Sequence, residues 1–452
     1  MRKLKRIFES TQEINFNSPQ KEFFLYWKSF EKSELGRIYR SIPWSDLCKA
    51  LKIKEYRKGP SKLFSPQGML ALMFLKSYAD CSDKKLIEHL NGNIDFQLFC
   101  GIFLGPERIN NYKIISKIRC FLAIKLNVME VQKVLAKYWK PFMNDTNIML
   151  EDATCYETSM RYPTNVKLLW ECVVWSYGQM KLMCKILKIR TPRTKFLDQK
   201  NKYLVYSRKR KKFKKERKAR ARSLLYLLEK MLLLLDEIER ENREDITLPE
   251  KYYTRLKTVK TVLKQQQQIF KTGKTVPDRM VSIAKSYIRP IVRGKEVKSV
   301  EFGAKVNMIQ FDGINFIEHL SFDAFHEGIR LPKSIRYGRE LFGKVSHVSA
   351  DDIYATNDNR TYCSSQTIYH NFKRKGKAGK YENQRKALAS ELRKERATRM
   401  EGSFGTEKEY YGLQRIKARK KETEILWIFF GVHTANAVRI AKRLSQEKQK
   451  VA

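Results

Sequence analysis

The sequence has few of the residues that build a metal–thiolate site. Only 6 of its 452 residues are histidine, and its 8 cysteines never form a CxxC pair or lie beside clustered histidines. A zinc site is therefore not expected. Scattered thiols of this kind are typical of a reducing cytosol, where they pack as small core residues. The sequence also lacks a phosphate-binding Walker loop and a dinucleotide-binding glycine pattern, so no nucleotide cofactor is expected.

Long apolar runs are absent as well. The most apolar stretch, Leu224–Leu235, has twelve residues and contains Glu229 and Lys230. Such a stretch is too short and too charged to span a bilayer. The basic N-terminal segment has no apolar run of signal-peptide length after it. The sequence therefore predicts a cytoplasmic protein with no membrane partner.

Acidic residues are scarce relative to basic ones. The chain has 92 lysines and arginines against 48 aspartates and glutamates, which gives a formal net charge of +44. A charge of this size and sign indicates a polyanionic partner, and nucleic acid is the commonest one. The composition thus favours a DNA-binding, nucleoid-associated protein. The alternative is a soluble protein that is basic without binding DNA.

Against this basic background, Glu401 is notable on a predicted helix. Lys408 follows seven residues later, about two helical turns away and on the same face. Gly402 and Gly405 lie between them and are poor residues for a helix interior, so a kink or a close packing partner is expected there. A solvated charge pair would give the same spacing.

Two further acids follow predicted strands. Asn147–Asp152 alternates as an extended strand with Asp152 at its end, although many aspartates in that position only cap a turn. Lys344–Ala350 alternates in the same way and is followed by Asp351 and Asp352. Between these strands, Asp312–Gly313 is a preferred hairpin turn, which gives it a structural role.

The remaining sequence is largely helical. Residues 20–145 have apolar positions at three- and four-residue spacing, with a helix from Ser65–Pro66 and a second after Ser82, as in a helix-turn-helix or a plain helical hairpin. Residues 182–297 form a charged helical insertion. Within it, Arg208–Arg222 has eleven basic residues and one acid, a run that can bind phosphates or remain a solvated helix face.

Three segments, in order, resemble those of the DDE transposases encoded by bacterial insertion sequences. Residues 400–419 resemble the glutamate segment, in which Glu401 and Lys408 occupy the Glu and Lys positions. The stretch from Asp152 to Leu169 resembles the first-aspartate segment, and residues 348–360 resemble the second, with Asp351 preferred over Asp352. Residues 64–103 resemble the helical terminal-repeat-binding domain of the same family.

One part of the family pattern is displaced. An Arg is expected four residues before the Glu and a Tyr three residues before that Arg, but Ala397 and Lys394 occupy these positions. Arg396 or Arg399 could supply the charge from a neighbouring position.

The resemblance implies an α/β ribonuclease H-like catalytic domain with a mixed sheet, an all-α N-terminal domain and a long helical insertion. Its implied boundaries are 1–145 for the N-terminal domain, 146–181 for the start of the catalytic core, 182–297 for the insertion and 298–452 for the remainder. It also implies metal-dependent cleavage at transposon ends and strand transfer into target DNA. The alternatives are a nuclease of the same fold that does not join DNA, and an inactive DNA-binding derivative.

The resemblance assigns the site as follows. Asp152, Asp351 and Glu401 would be the catalytic residues and would bind Mg²⁺ or Mn²⁺, as two ions, since clustered carboxylates need cations and hard oxygen ligands suit these metals. The partners would be terminal inverted repeats and target DNA, bound by a homodimer or a larger assembly. The predicted DNA-binding residues are Lys408, Arg415 and Arg399 in and around the glutamate segment and, from the charge of the basic run and not from the resemblance, Arg208, Lys209, Arg210, Lys211 and Lys212.

Overall fold

A computed structural model of the chain describes residues 20–55, 62–242, 244–292 and 300–451. These residues divide into two compact units. The first contains the described residues up to Ser159, with Ala304–Ser321 and the residues from Phe325 onward; the second contains Met160–Gly303 and Phe322–Ala324. The predicted start of the insertion at 182 falls inside a helix of the second unit, and its predicted end at 297 lies outside the described residues.

The N-terminal part of the first unit is helical, as predicted. Ser65 and Ser82 each cap a helix, accepting hydrogen bonds from Gly68 N (3.0 Å) and Lys85 N (3.1 Å), and such caps satisfy otherwise unpaired backbone donors. The helices are α1 Gln20–Lys32, α2 Glu34–Arg40, α3 Trp44–Ala50, α4 Pro66–Ala79, α5 Asp83–Gly92, α6 Ile94–Phe99, α7 Lys113–Lys125 and α8 Val128–Trp139.

The sheet is mixed, as predicted. In the first unit the strand order is β4-β3-β1-β5-β6. β1 pairs with β5 and β5 with β6 in parallel, whereas β3 and β4 are antiparallel. In the second unit, β2 pairs antiparallel with the first residues of β3. The strands are β1 Ile148–Glu157, β2 Pro290–Val292, β3 Val300–Phe311, β4 Ile314–Ser321, β5 His347–Ala350 and β6 Tyr369–His370.

The predicted hairpin turn at Asp312–Gly313 is confirmed. Both residues have positive φ, 45° and 80°, as the two-residue turn that matches strand twist requires. The Asp312 carboxylate accepts a hydrogen bond from Asn144 N (2.9 Å) and pairs with Arg443 (2.9 Å). Asp312 therefore has the structural role that the sequence indicated.

The second unit has four helices among its described residues: α9 Asn165–Ile186, α10 Phe196–Arg208, α11 Lys214–Glu241 and α12 Glu250–Thr272. The leucine-rich face of α11 packs against α9 and α12, where Leu228, Cys172 and Val259 are fully buried. Burial of one face stabilises helices that would be marginal alone.

The C-terminal half of the first unit positions the site. α13 Leu331–Phe342 precedes β5 and ends at Gly343, and α14 Asn357–Ser365 joins β5 to β6. α15 Glu382–Glu395 continues through a π-helical turn, Arg396–Met400, into α16 Glu401–Tyr410. α17 Lys421–Val451 packs on the core through residues such as Phe429 and Ile440. Among the described residues, no helix has both the length and the apolar character needed to cross a membrane.

Candidate active site

The parallel pairing of β1 with β5 brings two of the predicted acids together. Glu151 is in register with Ala350, so Asp152 and Asp351 are the next residues on neighbouring strands. The prediction that Asp152 ends its strand is wrong, because β1 continues to Glu157. What ends at this point is the pairing with β5, and Asp351 turns away as the N-cap of a short 3₁₀ turn, Asp352–Tyr354.

The third acid reaches the same place from the helix that follows β6. Glu401 is the first residue of α16, directly after the π-helical turn. In a π-helix, residues five apart are hydrogen-bonded neighbours, instead of residues four apart as in an α-helix. Arg396, five residues before Glu401, therefore lies one turn from it on the same face.

A single guanidinium contacts all three acids. Arg396 Nη1 lies 2.7 Å from Asp152 Oδ2, and Arg396 Nη2 lies 3.8 Å from Asp351 Oδ1 and 3.7 Å from Glu401 Oε1. Only the first distance is a close hydrogen bond. The Nε of Arg396 is buried without a hydrogen-bond partner. Arg396 thus joins the three carboxylates while leaving part of its own bonding capacity unused.

The carboxylates differ in environment. The Asp152 side chain is 19 % exposed, whereas those of Asp351 and Glu401 are 56 % and 59 % exposed. Burial raises the pKa of the Asp152 carboxyl to about 6, and the guanidinium of Arg396 opposes this rise. A positive charge beside Asp152 is therefore what keeps a buried carboxylate ionised at neutral pH.

Of the two adjacent aspartates, Asp351 is the one that faces the cluster. Its carboxylate accepts a hydrogen bond from Asp352 N (2.8 Å) and also lies within ion-pair distance of Arg396. Asp352 is exposed and has no ion pair with Arg396 among the described contacts. The geometry therefore favours the predicted choice of Asp351.

The face of β1 that carries Asp152 is covered by α16. Two residues along, Thr154 Oγ1 accepts a hydrogen bond from Lys408 Nζ (2.9 Å), and Tyr156, two further on, donates its hydroxyl to the buried Glu407. Because alternate residues of a strand share a face, these contacts fix α16 over the acids. Lys408, the predicted DNA-contacting lysine, thus contacts the same face of β1 that carries Asp152.

The opposite face of β1 is tied into a buried polar network. Glu151 Oε1 accepts hydrogen bonds from Asn307 Nδ2 (2.8 Å) and from the hydroxyl of Ser334, and Asn307 Oδ1 accepts one from the Tyr354 hydroxyl (2.6 Å). Burial raises the pKa of Glu151 to about 8. Networks of this kind rigidify a core, and here one rigidifies the strand on which Asp152 lies.

Among the described residues, no group of three His, Cys, Asp or Glu side chains is close enough together to hold a metal ion. The acids surround the guanidinium of Arg396 instead. Carboxylate oxygens are the hard ligands that Mg²⁺ and Mn²⁺ prefer, so the chemical type of these side chains suits such an ion, and the prediction of a metal site stays a prediction.

The other predicted DNA-binding residues lie on the surface. Arg415 is exposed, and Arg399 is 48 % exposed and pairs with Glu395 (2.7 Å) and Asp312 (3.3 Å). Five residues of the basic run, Arg208, Lys209, Arg210, Lys211 and Lys212, are all exposed in the second unit. Lys209 pairs with Glu216 (2.9 Å). Arg399 thus pairs with Asp312 and Glu395, whereas Arg396 contacts the three predicted acids.

The sequence offers Arg396 or Arg399 for the displaced charge, and the structure places Arg396 among the three acids. Its position appeared wrong by one residue, because the expected spacing of four assumes an α-helix. The signal in the sequence was an arginine at spacing five, which only a π-helical turn brings onto the face of Glu401.

Comparison with known families bears on the helical N-terminal region. Residues 24–120 match the family model described as Transposase domain (DUF772). This segment is similar to a transposase domain. It includes most of α1 and extends into α7, and it contains residues 64–103, which resemble transposases in sequence. The match supports a transposase of bacterial insertion sequences. No curated protein and no solved structure matches the chain significantly.

Proposed function

We propose that this chain is a DDE transposase that cuts DNA at transposon ends and joins the freed ends to target DNA. The observation that carries the proposal is the convergence of Asp152, Asp351 and Glu401 on Arg396 in a chain with an N-terminal transposase domain. The three acids come from separate segments, and each segment resembles its counterpart in that family.

The sheet supports a ribonuclease H-like core for this activity. The order β4-β3-β1-β5-β6 puts the first strand in the centre, with a hairpin on one side and two parallel strands on the other. Two of the acids then lie at neighbouring strands and the third on a later helix, which is the arrangement that an active site of this fold requires.

Asp152, Asp351 and Glu401 would hold Mg²⁺ or Mn²⁺, which supplies Lewis-acid activation of a water or 3′-hydroxyl and stabilises the leaving oxygen of a phosphodiester. The chain's own residues have other roles. Arg396 orients Asp152 through its 2.7 Å contact, and Lys408 holds a positive charge next to the acids, where a DNA phosphate would lie.

The test is strand cleavage and joining on labelled DNA from both flanks of the coding region, with Mg²⁺ or Mn²⁺. We expect cut and joined products from the unsubstituted protein. Glu401→Gln should lower cutting by at least about 100-fold, since it removes one of three metal-binding carboxylates, while DNA affinity stays within about twofold because binding rests on phosphate contacts. The matched control is Glu409→Gln, an exposed glutamate of the same helix, which should behave as the unsubstituted protein.

Other outcomes would replace the proposal. Cleavage without joining would indicate a nuclease, and metal-independent binding without cleavage would indicate a DNA-binding protein that has lost the chemistry. Equal cutting by the Glu401→Gln protein would contradict the assignment of the third acid.

A further inference from the structure

A basic groove lies along the helix that leads into the site. It has a volume of about 440 Å³ and is lined by five basic side chains, Lys373, Arg374, Arg385, Lys386 and Arg393, and one acidic side chain, Glu382. Positive charge concentrated in a concave surface attracts polyanions. Neither the family match, which ends at residue 120, nor the acid cluster accounts for this groove.

Contacts within the groove preserve part of its charge. Glu382 pairs with Arg385 (2.6 Å) and more loosely with Arg374 (3.5 Å), and these hydrogen bonds lower the pKa of Glu382 to about 2. Lys373 and Lys386 are exposed, and no ion pair involves either of them among the described residues. The single acid is therefore already neutralised, which leaves the lysines available for an outside anion.

The groove connects directly with the acid cluster. Arg393 donates to Asn371 O (2.7 Å), and the Asn371 side chain exchanges two hydrogen bonds with the backbone of Ala350 (2.8 and 3.1 Å). Ala350 immediately precedes Asp351. The groove side chains of α15 recur every three or four residues from Glu382 to Arg393, and Arg396 continues the same face.

The spacing fits a nucleic-acid strand. From Arg385 to Arg396 is eleven residues, or about 16 Å of helix. That length corresponds to roughly five nucleotides of one strand at about 3.4 Å each. We propose that this groove binds the backbone phosphates of the DNA strand about five nucleotides from the reacting phosphate, on the Asp351 side of the site. The proposal rests on the proposed function, since it needs DNA in the site.

Lysine footprinting tests the position. The full chain is treated with an acetylating reagent with and without a random-sequence 30-base-pair duplex at low salt, and modification of each lysine is measured by mass spectrometry. We expect Lys373 and Lys386 to be protected at least about fivefold by DNA. Lys377 and Lys394, exposed lysines of the same loop and helix that do not line the groove, should be protected less than twofold. Equal reactivity of all four lysines would overturn the proposal.

Salt-dependent binding tests the charge contacts. Replacing Lys373 and Lys386 by Ala should make the negative slope of log K against log salt shallower by about 1.8, as expected for two lost phosphate contacts. The control pair Lys377→Ala and Lys394→Ala should leave the slope unchanged, and equal slopes for both pairs would overturn the groove. Protection of the groove lysines without any DNA cleavage would support DNA binding in the groove and count against transposase activity. Cleavage without protection would support the activity and count against DNA binding in the groove.

Discussion

The positive charge of Arg396 offsets the electrostatic repulsion among the carboxylates of Asp152, Asp351 and Glu401. Three carboxylates lie within 3.8 Å of its guanidinium, and at this distance a unit charge is worth several kcal/mol near a protein surface, about 4 at an effective dielectric constant of 20. A divalent ion bound by the same acids would compete with Arg396. If the acids bind metal as proposed, the arginine would therefore weaken that binding.

We expect Arg396→Gln to increase the affinity of the site for Mg²⁺ by at least about tenfold, because the competing cation is removed. The measurement is a Mg²⁺ titration by calorimetry at constant ionic strength. The matched control is Arg399→Gln, which removes an arginine of the same turn that pairs with Glu395 and Asp312. An unchanged Mg²⁺ affinity in Arg396→Gln would contradict competition between the arginine and the metal.

His433 is a second residue whose charge state is set by its surroundings. It is fully buried, its Nε2 lies 3.1 Å from Gln132 Oε1 and its Nδ1 lies 3.1 Å from Asn436 Nδ2. Burial lowers its pKa to about 3. The folded protein thus holds a neutral imidazole, while the unfolded chain protonates it near pH 6.5.

Stability that depends on this neutral imidazole is fully present above pH 6.5 and is lost as the pH falls below it, because only the unfolded state then binds the proton. Between pH 7 and pH 5, the loss from this one group is about 2 kcal/mol. We expect His433→Gln to remove this loss. Between pH 7 and pH 5, the free energy of unfolding of the variant should therefore fall by about 2 kcal/mol less than that of the unsubstituted protein. Urea denaturation at the two pH values measures it. His89→Gln is the control, since His89 is only partly buried.

At the scale of single elements, the π-helical turn Arg396–Met400 changes what the sequence spacing means. It lengthens one turn to five residues and keeps Arg396 over the acids. π-helical turns are rare and concentrate at functional sites. Its effect can be separated from that of the arginine by changing only the length of the turn.

Deleting Ala397 places Arg396 four residues before Glu401, which is one turn of an ordinary α-helix. We expect this variant to keep cutting activity within about tenfold, since the arginine stays on the same face. Inserting one alanine after Ala397 instead rotates Arg396 away by about 100°, and cutting should fall by about 100-fold or more. Cleavage assays on the same labelled DNA compare the two. Loss of activity on deletion would show that the longer turn itself is required.

The same turn shows why the sequence predicted some elements and missed others. The caps at Ser65 and Ser82, the Asp312–Gly313 turn and the strands before Asp152 and Asp351 depend on local patterns, which the sequence states directly. β1 continues beyond Asp152 beside β3, a strand that is distant in the sequence. The place of Arg396 depends on a rare helical geometry. The first has no local signal, and the second has only an arginine at spacing five, which does not by itself predict a π-helical turn.

At the scale of the whole molecule, the net charge of +44 must act through particular surfaces. The run Arg208–Lys212 is exposed in the second unit, and among the ion pairs of the described residues one of its five side chains, Lys209, pairs with an acid, Glu216. Exposed lysines and arginines without acidic partners release counterions from DNA when they bind phosphates. The run therefore qualifies as a sequence-independent phosphate-binding surface.

We expect the affinity for a random-sequence duplex to fall steeply with salt. In the double variant Arg210→Ala, Lys211→Ala, the negative slope of log K against log salt should be shallower by about 1.8. Between 50 and 200 mM salt, that difference amounts to about a tenfold change in relative affinity. The control pair, Lys271→Ala and Lys274→Ala, removes equal charge from an exposed part of the same unit. Fluorescence anisotropy at several salt concentrations gives the slopes. If the two double variants have equal slopes, the effect belongs to the net charge of the chain and not to the run, since long-range attraction depends on total charge whereas counterion release depends on the phosphates that are touched.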